Sequence, residues 1–168
     1  MVIGIWLLII MNEDLLTLIN KAYFFLKFRP RTEKEIRDYL YKKIIKTHCS
    51  RDDVEKVIKK LKKQGLINDE RFIEMYIKNR LLLKPKGKNL LKKELISKGI
   101  NNDLIEKYFS LNQINEEKIA FEILKKKWSR FKSLNFKKRL EKSLRFLVSR
   151  GFSYETAKKT FELLSKKE

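Results

Sequence analysis

Apolar residues recur along this chain at three- and four-residue spacing, not in alternation, which is the pattern of amphipathic helices. From Glu13, the positions Leu15, Leu16, Ile19, Ala22, Tyr23 and Leu26 form a stripe that stops near Arg29 and Pro30. Proline ends it, because its ring removes an amide and restricts the residue before it. Thr32 followed by Glu35 predicts a capping box, with Ile36 and Leu40 as the inward face of the next helix. Ser50, Asp52 and Asp53 predict another start, opening a helix with Val54, Val57, Ile58 and Leu61 inside and Gly65 at its end.

The plan then repeats. Asn68, Asp69 and Glu70 start a helix bearing Phe72, Ile73, Tyr76 and Ile77. A second carries Leu90, Leu91 and Leu95, and a third, capped by Asn101 or Asn102, carries Leu104, Ile105, Tyr108 and Phe109. A last group has Ile119, Ala120, Ile123 and Leu124, then Leu140, Leu144 and Leu147, then Ala157, Phe161 and Leu164 after a cap at Ser153. One phrase marks each group: Leu40-x-x-Lys43-Ile44, Leu95-x-x-Lys98-Gly99 and Leu147-x-x-Arg150-Gly151. A period of about 45 to 55 residues accommodates three short helices that cannot close a core alone, so neighbouring units stack. The expected fold is all-α, with three tandem three-helix, helix-turn-helix-like repeats in an elongated, curved array. Repeats one to three are expected over residues 12–67, 68–113 and 114–168. The first is the divergent copy, with Ile44 where the others have glycine.

The opening segment, MVIGIWLLII, is discordant. It falls short of the roughly 20 residues that span a bilayer, and it lacks the basic start and small-residue cleavage site of a secretory signal. Residues 1–11 are read as an apolar extension ahead of a start at Met11, or as a short apolar strand or helix packed on the first repeat.

Charge changes the picture from fold to partner. The chain of 168 residues has a formal net charge of +20, which directs attention to polyanions or an acidic protein surface. A single cysteine, Cys49, permits no intramolecular disulfide and fits a reducing compartment, the cytoplasm.

Catalysis has little to work with. The one histidine, His48, adjoins Cys49, but neighbours in an extended loop point apart and no acid is placed to orient them. Four nitrogen or sulfur ligands for zinc are lacking. Lys86-Gly87-Lys88 has neither the remainder of a phosphate-loop motif nor a preceding strand, and reads as a flexible basic connection. Neither enzymatic activity nor a cofactor or metal is expected.

Two basic clusters remain as candidate binding residues. Between Lys84 and Lys98, six lysines (Lys84, Lys86, Lys88, Lys92, Lys93 and Lys98) face one glutamate, a local charge of +5. Between Lys118 and Arg145, eleven basic residues face two acids, a local charge of +9. The second group includes Lys125, Lys126, Lys127, Arg130, Lys132, Lys137, Lys138, Arg139 and Arg145, and Arg150 follows it. Trp128, Phe131 and Phe136 are interleaved with these charges, and Trp128 is the candidate for stacking on a base. The alternative is that these rings anchor the core of the third repeat.

Four phrases carry a family likeness: Ala22-x3-Leu26-x2-Arg29-x2-Thr32-x2-Glu35-Ile36, GLINDERFIEMYIKNR at 65–80, KGKNLLKKELISKGI at 86–100 and SRGFS at 149–153. In this order and spacing they resemble the RecX family, and they cover nearly all of the chain after Met11. The resemblance implies tandem three-helix repeats, no enzymatic activity, and a modulator of the RecA recombinase. Such a protein is expected to lie in the helical groove of the RecA–DNA filament and to depress ATP hydrolysis, strand exchange and filament growth. The implied partners are the RecA filament and single-stranded DNA, with double-stranded DNA left open, for a monomer without a membrane.

The competing expectation is an autonomous DNA binder. A groove-reading protein concentrates Arg, Asn and Gln on one recognition helix. Here lysine dominates and is spread over loops and helices, which favours non-specific electrostatics.

Overall fold

Helices begin in this chain where a side chain can accept the free amides of a first turn. The computed structural model describes residues 2–45 and 47–166, with side chains from residue 13 onward, Lys132 excepted. Among the described residues there are nine α-helices and no strand: α1 (Val2–Lys27), α2 (Glu33–Ile44), α3 (Arg51–Lys63), α4 (Asp69–Leu83), α5 (Lys88–Ser97), α6 (Asn102–Leu111), α7 (Glu116–Lys132), α8 (Phe136–Ser149) and α9 (Tyr154–Ser165). The expected all-α class is the observed one. The backbone is helical from Val2, so the apolar opening segment continues into α1 and forms no strand. The question of Met1 or Met11 as the start, and the side chains of residues 2–12, lie outside the described residues.

The caps fall where the sequence places them. Thr32 and Glu35 form a reciprocal capping box at α2, as do Ser50 and Asp53 at α3. Asn68 accepts the Arg71 amide at 2.9 Å at the start of α4, and Asn101, not Asn102, caps α6. Ser153 caps α9.

The described residues form two compact units. The first holds α1, α2, α3, the opening turn of α4 and the turn Lys98–Ile100. Its core is Leu18 and Ala22 from α1, Ile36 and Leu40 from α2, Val54, Val57, Ile58 and Leu61 from α3, and Ile67. Phe25 stacks on Tyr39 with centroids 4.1 Å apart at the edge of this core. Buried Thr32 has a second use beyond its cap, because its hydroxyl donates to the Lys98 carbonyl at 2.8 Å. That turn contains Gly99 at φ +82°, and a Cβ there would lie 2.3 Å from the Lys34 side chain.

The second unit holds the remainder. Ile73 and Ile77 of α4, Leu91 and Leu95 of α5, and Ile105 and Phe109 of α6 are buried. Ala120, Leu124, Leu147, Phe152, Ala157 and Leu164 form the core of α7, α8 and α9. The expectation of a flexible connection at Lys86-Gly87-Lys88 fails here. Gly87 is buried, and its amide donates to the Arg150 carbonyl at 2.9 Å, while Asn89 donates to the Gly151 carbonyl at 3.3 Å. The segment reads as a loop in sequence because the contact that orders it comes from residues some sixty positions away.

Candidate polyanion- and protein-binding surface

The first basic cluster is largely committed to contacts inside the protein. Lys98 belongs to the first unit, where its ammonium bonds Glu35 at 3.1 Å. Arg29 also clamps Glu35, through two hydrogen bonds of 3.0 Å each. Burial pushes the Glu35 carboxyl up, but the bonds from Arg29 and Lys98 outweigh it and hold it below its ordinary value.

In the second unit, Lys86 pairs with Glu94, and Lys92 pairs with Glu106. Glu94 further accepts the Tyr76 hydroxyl at 2.9 Å and lies 3.2 Å from Arg80. Burial again pushes this carboxyl up, and the Lys86 and Tyr76 hydrogen bonds and the Arg80 charge bring it below its usual range. Lys88 and Lys92 also lie over the Phe109 ring, at 5.2 and 5.6 Å. Lys84 and Lys93 are exposed.

The second cluster is more open. Lys125, Lys126 and Arg130 on α7 and Lys137, Lys138 and Arg145 on α8 are exposed, and Lys127 is half-buried. The side chain of Lys132 lies outside the described residues. Lys125–Arg130 occupy the later half of α7, whose first turn holds Glu116 and Glu117, so charge and helix dipole agree there. At α8 they oppose one another. Its first turn contains Lys137 and Lys138 and no acid, which places cations at the positive end of the dipole.

Two arginines of the group serve as lids over rings. The Arg139 guanidinium lies 5.1 Å from the Trp128 ring, and that of Arg150 lies 4.8 Å from Phe146. Trp128 itself is half-buried and meets Phe161 edge-on at 5.7 Å. Phe131 meets Phe146 at 6.3 Å at the same core, whereas Phe136 remains 61% exposed although its ring reaches Phe161 at 5.6 Å. Of the three rings singled out in the sequence, Phe136 is the most open.

The loop holding His48 and Cys49 does not assemble a nucleophile. Burial pushes the Cys49 thiol up, away from thiolate, and the His48 amide donates to Asp14 at 2.9 Å. Among the described residues no group of three or more His, Cys, Asp or Glu side chains could hold a metal, and no helix is long and apolar enough to cross a membrane.

Sequence reasoning missed two features. Phe24 of α1 and Phe28, just beyond its end, form an exposed edge-to-face pair 4.9 Å apart. The acids opening α4 and α7, Asp69 and Glu116, also accept amides from another helix, Glu33 N–H at 3.1 Å and Lys88 N–H at 2.7 Å. A signal for the second was present, since each acid lies four residues before a buried apolar residue, Ile73 or Ala120.

Family models match three stretches in order: RecX, first three-helix domain, at residues 19–61; RecX, second three-helix domain, at 68–108; and RecX, third three-helix domain, at 115–161. Regulatory protein RecX of Streptococcus gordonii is 34% identical over 151 residues, covering 89% of this chain and 56% of its own length. That of Clostridium perfringens is 32% identical over 163 residues, covering 95% of this chain and 74% of its own. The chain thus spans little more than half of the first relative's length. The crystal structure of RecX from Lactobacillus salivarius superposes with a TM-score of 0.80 at 25% identity, covering 92% of this chain and 98% of that one. Three tandem domains matched in sequence order, with a solved RecX structure of the same fold, lead to one conclusion: the chain belongs to the RecX family.

Proposed function

We propose that this chain is a non-enzymatic regulator of the RecA recombinase. It binds the groove of the RecA–DNA filament as a monomer in the cytoplasm, and it inhibits ATP hydrolysis, strand exchange and filament growth. The observation that carries this reading is the match of all three RecX domains across residues 19–161. The open lysines of α7 and α8 support it, because they suit the acidic protein surface or the phosphates that such a filament offers.

The test is DNA-dependent ATP hydrolysis by the cognate RecA on preformed filaments, with this protein titrated at two concentrations of single-stranded DNA. Inhibition at a small fraction of the RecA concentration, unrelieved by extra DNA, is the expected result. Inhibition that needs enough protein to coat the DNA, and disappears when DNA is added, identifies a competing DNA binder and sinks the proposal.

A further inference from the structure

The start of the second helix of a repeat makes the same pair of contacts twice. At α2 the first amide, Glu33 N–H, donates to the Asp69 carboxylate at 3.1 Å, and the preceding Thr32 hydroxyl donates to the Lys98 carbonyl at 2.8 Å. At α5 the first amide, Lys88 N–H, donates to the Glu116 carboxylate at 2.7 Å, and the preceding Gly87 amide donates to the Arg150 carbonyl at 2.9 Å. Each carboxylate is carried by the first residue of a helix, α4 or α7, and each carbonyl by the turn that ends α5 or α8. Two occupied copies on one chain show what such a face accepts.

The third copy is open. The Asn135 side chain accepts the Lys138 amide at the start of α8, while the first amide, Phe136 N–H, has no acceptor among the described residues. α5 also opens without an acid in its first turn, and there Glu116 supplies one. The α8 face stands further out as well. Seven residues separate Glu33 from buried Leu40 and Lys88 from buried Leu95, but eleven separate Phe136 from buried Leu147. That is one added turn, about 5 Å of helix, between this face and the matching core leucine, while the Phe136 ring keeps its contact with Phe161.

We propose that this end of the third repeat is a docking face for a protein that presents a carboxylate from the first turn of a helix beside the carbonyl of a helix-ending turn. Exposed Phe136, Lys137 and Lys138 surround the open amide and match an acidic partner in charge. A second copy of this chain is a poor occupant. Its corresponding acid, Asp14, four residues before buried Leu18, already accepts the His48 amide, and its corresponding turn carries Ile44 in place of glycine. Phosphate would satisfy the lysines, but both occupied faces pair a carboxylate with a peptide carbonyl, which a protein supplies.

The inference rests on the reading of the chain as a filament regulator, so the probe is the RecA filament on single-stranded DNA, with the same DNA bare as control. Phe136→Pro removes the amide where proline is tolerated, at the first helical position, after an Asn135 already extended at ψ 156°. Phe136→Ala loses the ring and keeps the amide. Expected is about tenfold weaker filament binding by the proline variant than by the alanine variant, as for one charge-assisted hydrogen bond, with bare-DNA binding equal. Lys137→Glu with Lys138→Glu is expected to weaken filament binding at least as much. Because acids at a helix start favour the helix, that loss cannot be ascribed to unfolding, and this pair decides if the proline variant melts early. Equal filament binding by the proline and alanine variants, or a charge reversal that weakens bare-DNA binding as much as filament binding, overturns the docking face alone. Failure of the unaltered chain to bind filaments overturns the regulator reading and this inference together.

Discussion

Gly87 and Gly151 meet through their backbones. A Cβ on Gly87 would lie 2.4 Å from the carbonyl carbon and oxygen of Gly151, and one on Gly151 would lie 2.3 Å from the Leu90 side chain. No real Cβ tolerates such distances, so each position needs glycine for its own reason: Gly87 because it lies against the backbone at Gly151, and Gly151 because it lies against Leu90. Alanine at either position is expected to cost about 1 to 3 kcal/mol through overpacking, and Gly151→Ala more, since its φ of +89° adds strain. Gly65→Ala is the comparison, because at φ +69° its Cβ would meet open space and only the conformational cost, about 1 to 2 kcal/mol, applies. Urea unfolding of the three variants checks the order; a Gly87→Ala variant as stable as the parent would contradict the contact.

Thr32 holds two structures at once, the α2 start and the Lys98–Ile100 turn. Thr32→Val keeps the shape, loses the hydroxyl, and leaves the part-buried Lys98 carbonyl without this donor. The expected loss is about 1 to 3 kcal/mol, above the usual value of a cap by itself. Thr32→Ser should recover most of it, and a serine variant no better than valine would assign the effect to packing.

Asp53 sets a feature of acid stability. The Ser50 amide and hydroxyl and the Lys56 ammonium pull its carboxyl down from 3.8 to about 2. A depressed carboxylate contributes its stability above the unfolded value, and loses it as pH falls through the folded value. Asp53→Asn should therefore narrow the gap to the parent between pH 4 and pH 2, with the full difference present at neutral pH. Thermal melts at pH 6, 4, 3 and 2 read this directly, and a constant difference across the series would exclude the ionised carboxylate as the cause.

Binding and folding separate at two sets of residues. Lys125→Gln, Lys126→Gln and Lys127→Gln together should weaken filament or DNA binding with little change in melting. The salt dependence should also flatten by roughly 0.7 in log–log slope for each single-strand phosphate that these lysines no longer neutralise. Phe72→Ala should act in the opposite manner, destabilising by about 3 to 5 kcal/mol because the ring is buried. Unchanged binding of the triple variant at moderate salt would remove this face from consideration.

The candidate surface was less legible in the sequence than the helices were. Charge counting weights Lys86, Lys92 and Lys98 equally with Lys125 and Lys126, yet the first three reach acids at Glu94, Glu106 and Glu35. Whether a lysine faces solvent or a carboxylate depends on which helix lies opposite, and spacing along one helix carries no such information. Trp128 illustrates the same limit, since its partners Arg139 and Phe161 come from α8 and α9.

Local rules were enough for the elements themselves. Thr32, Ser50, Asn101 and Ser153 start helices because a side-chain oxygen within three residues of a free amide needs no distant partner, and the apolar stripes follow from a period of about 3.6 residues. The repeat of those stripes, and the phrases shared with the RecX family, are likewise properties of the chain read end to end. Only the tertiary structure decided that Gly87 is locked against Gly151, that Asp69 and Glu116 accept the first amides of α2 and α5, and that the first amide of α8 meets no acceptor among the described residues. Those facts are contacts between residues far apart in sequence, and burial and charge pairing are settled by what arrives opposite a side chain, not by its neighbours along the chain.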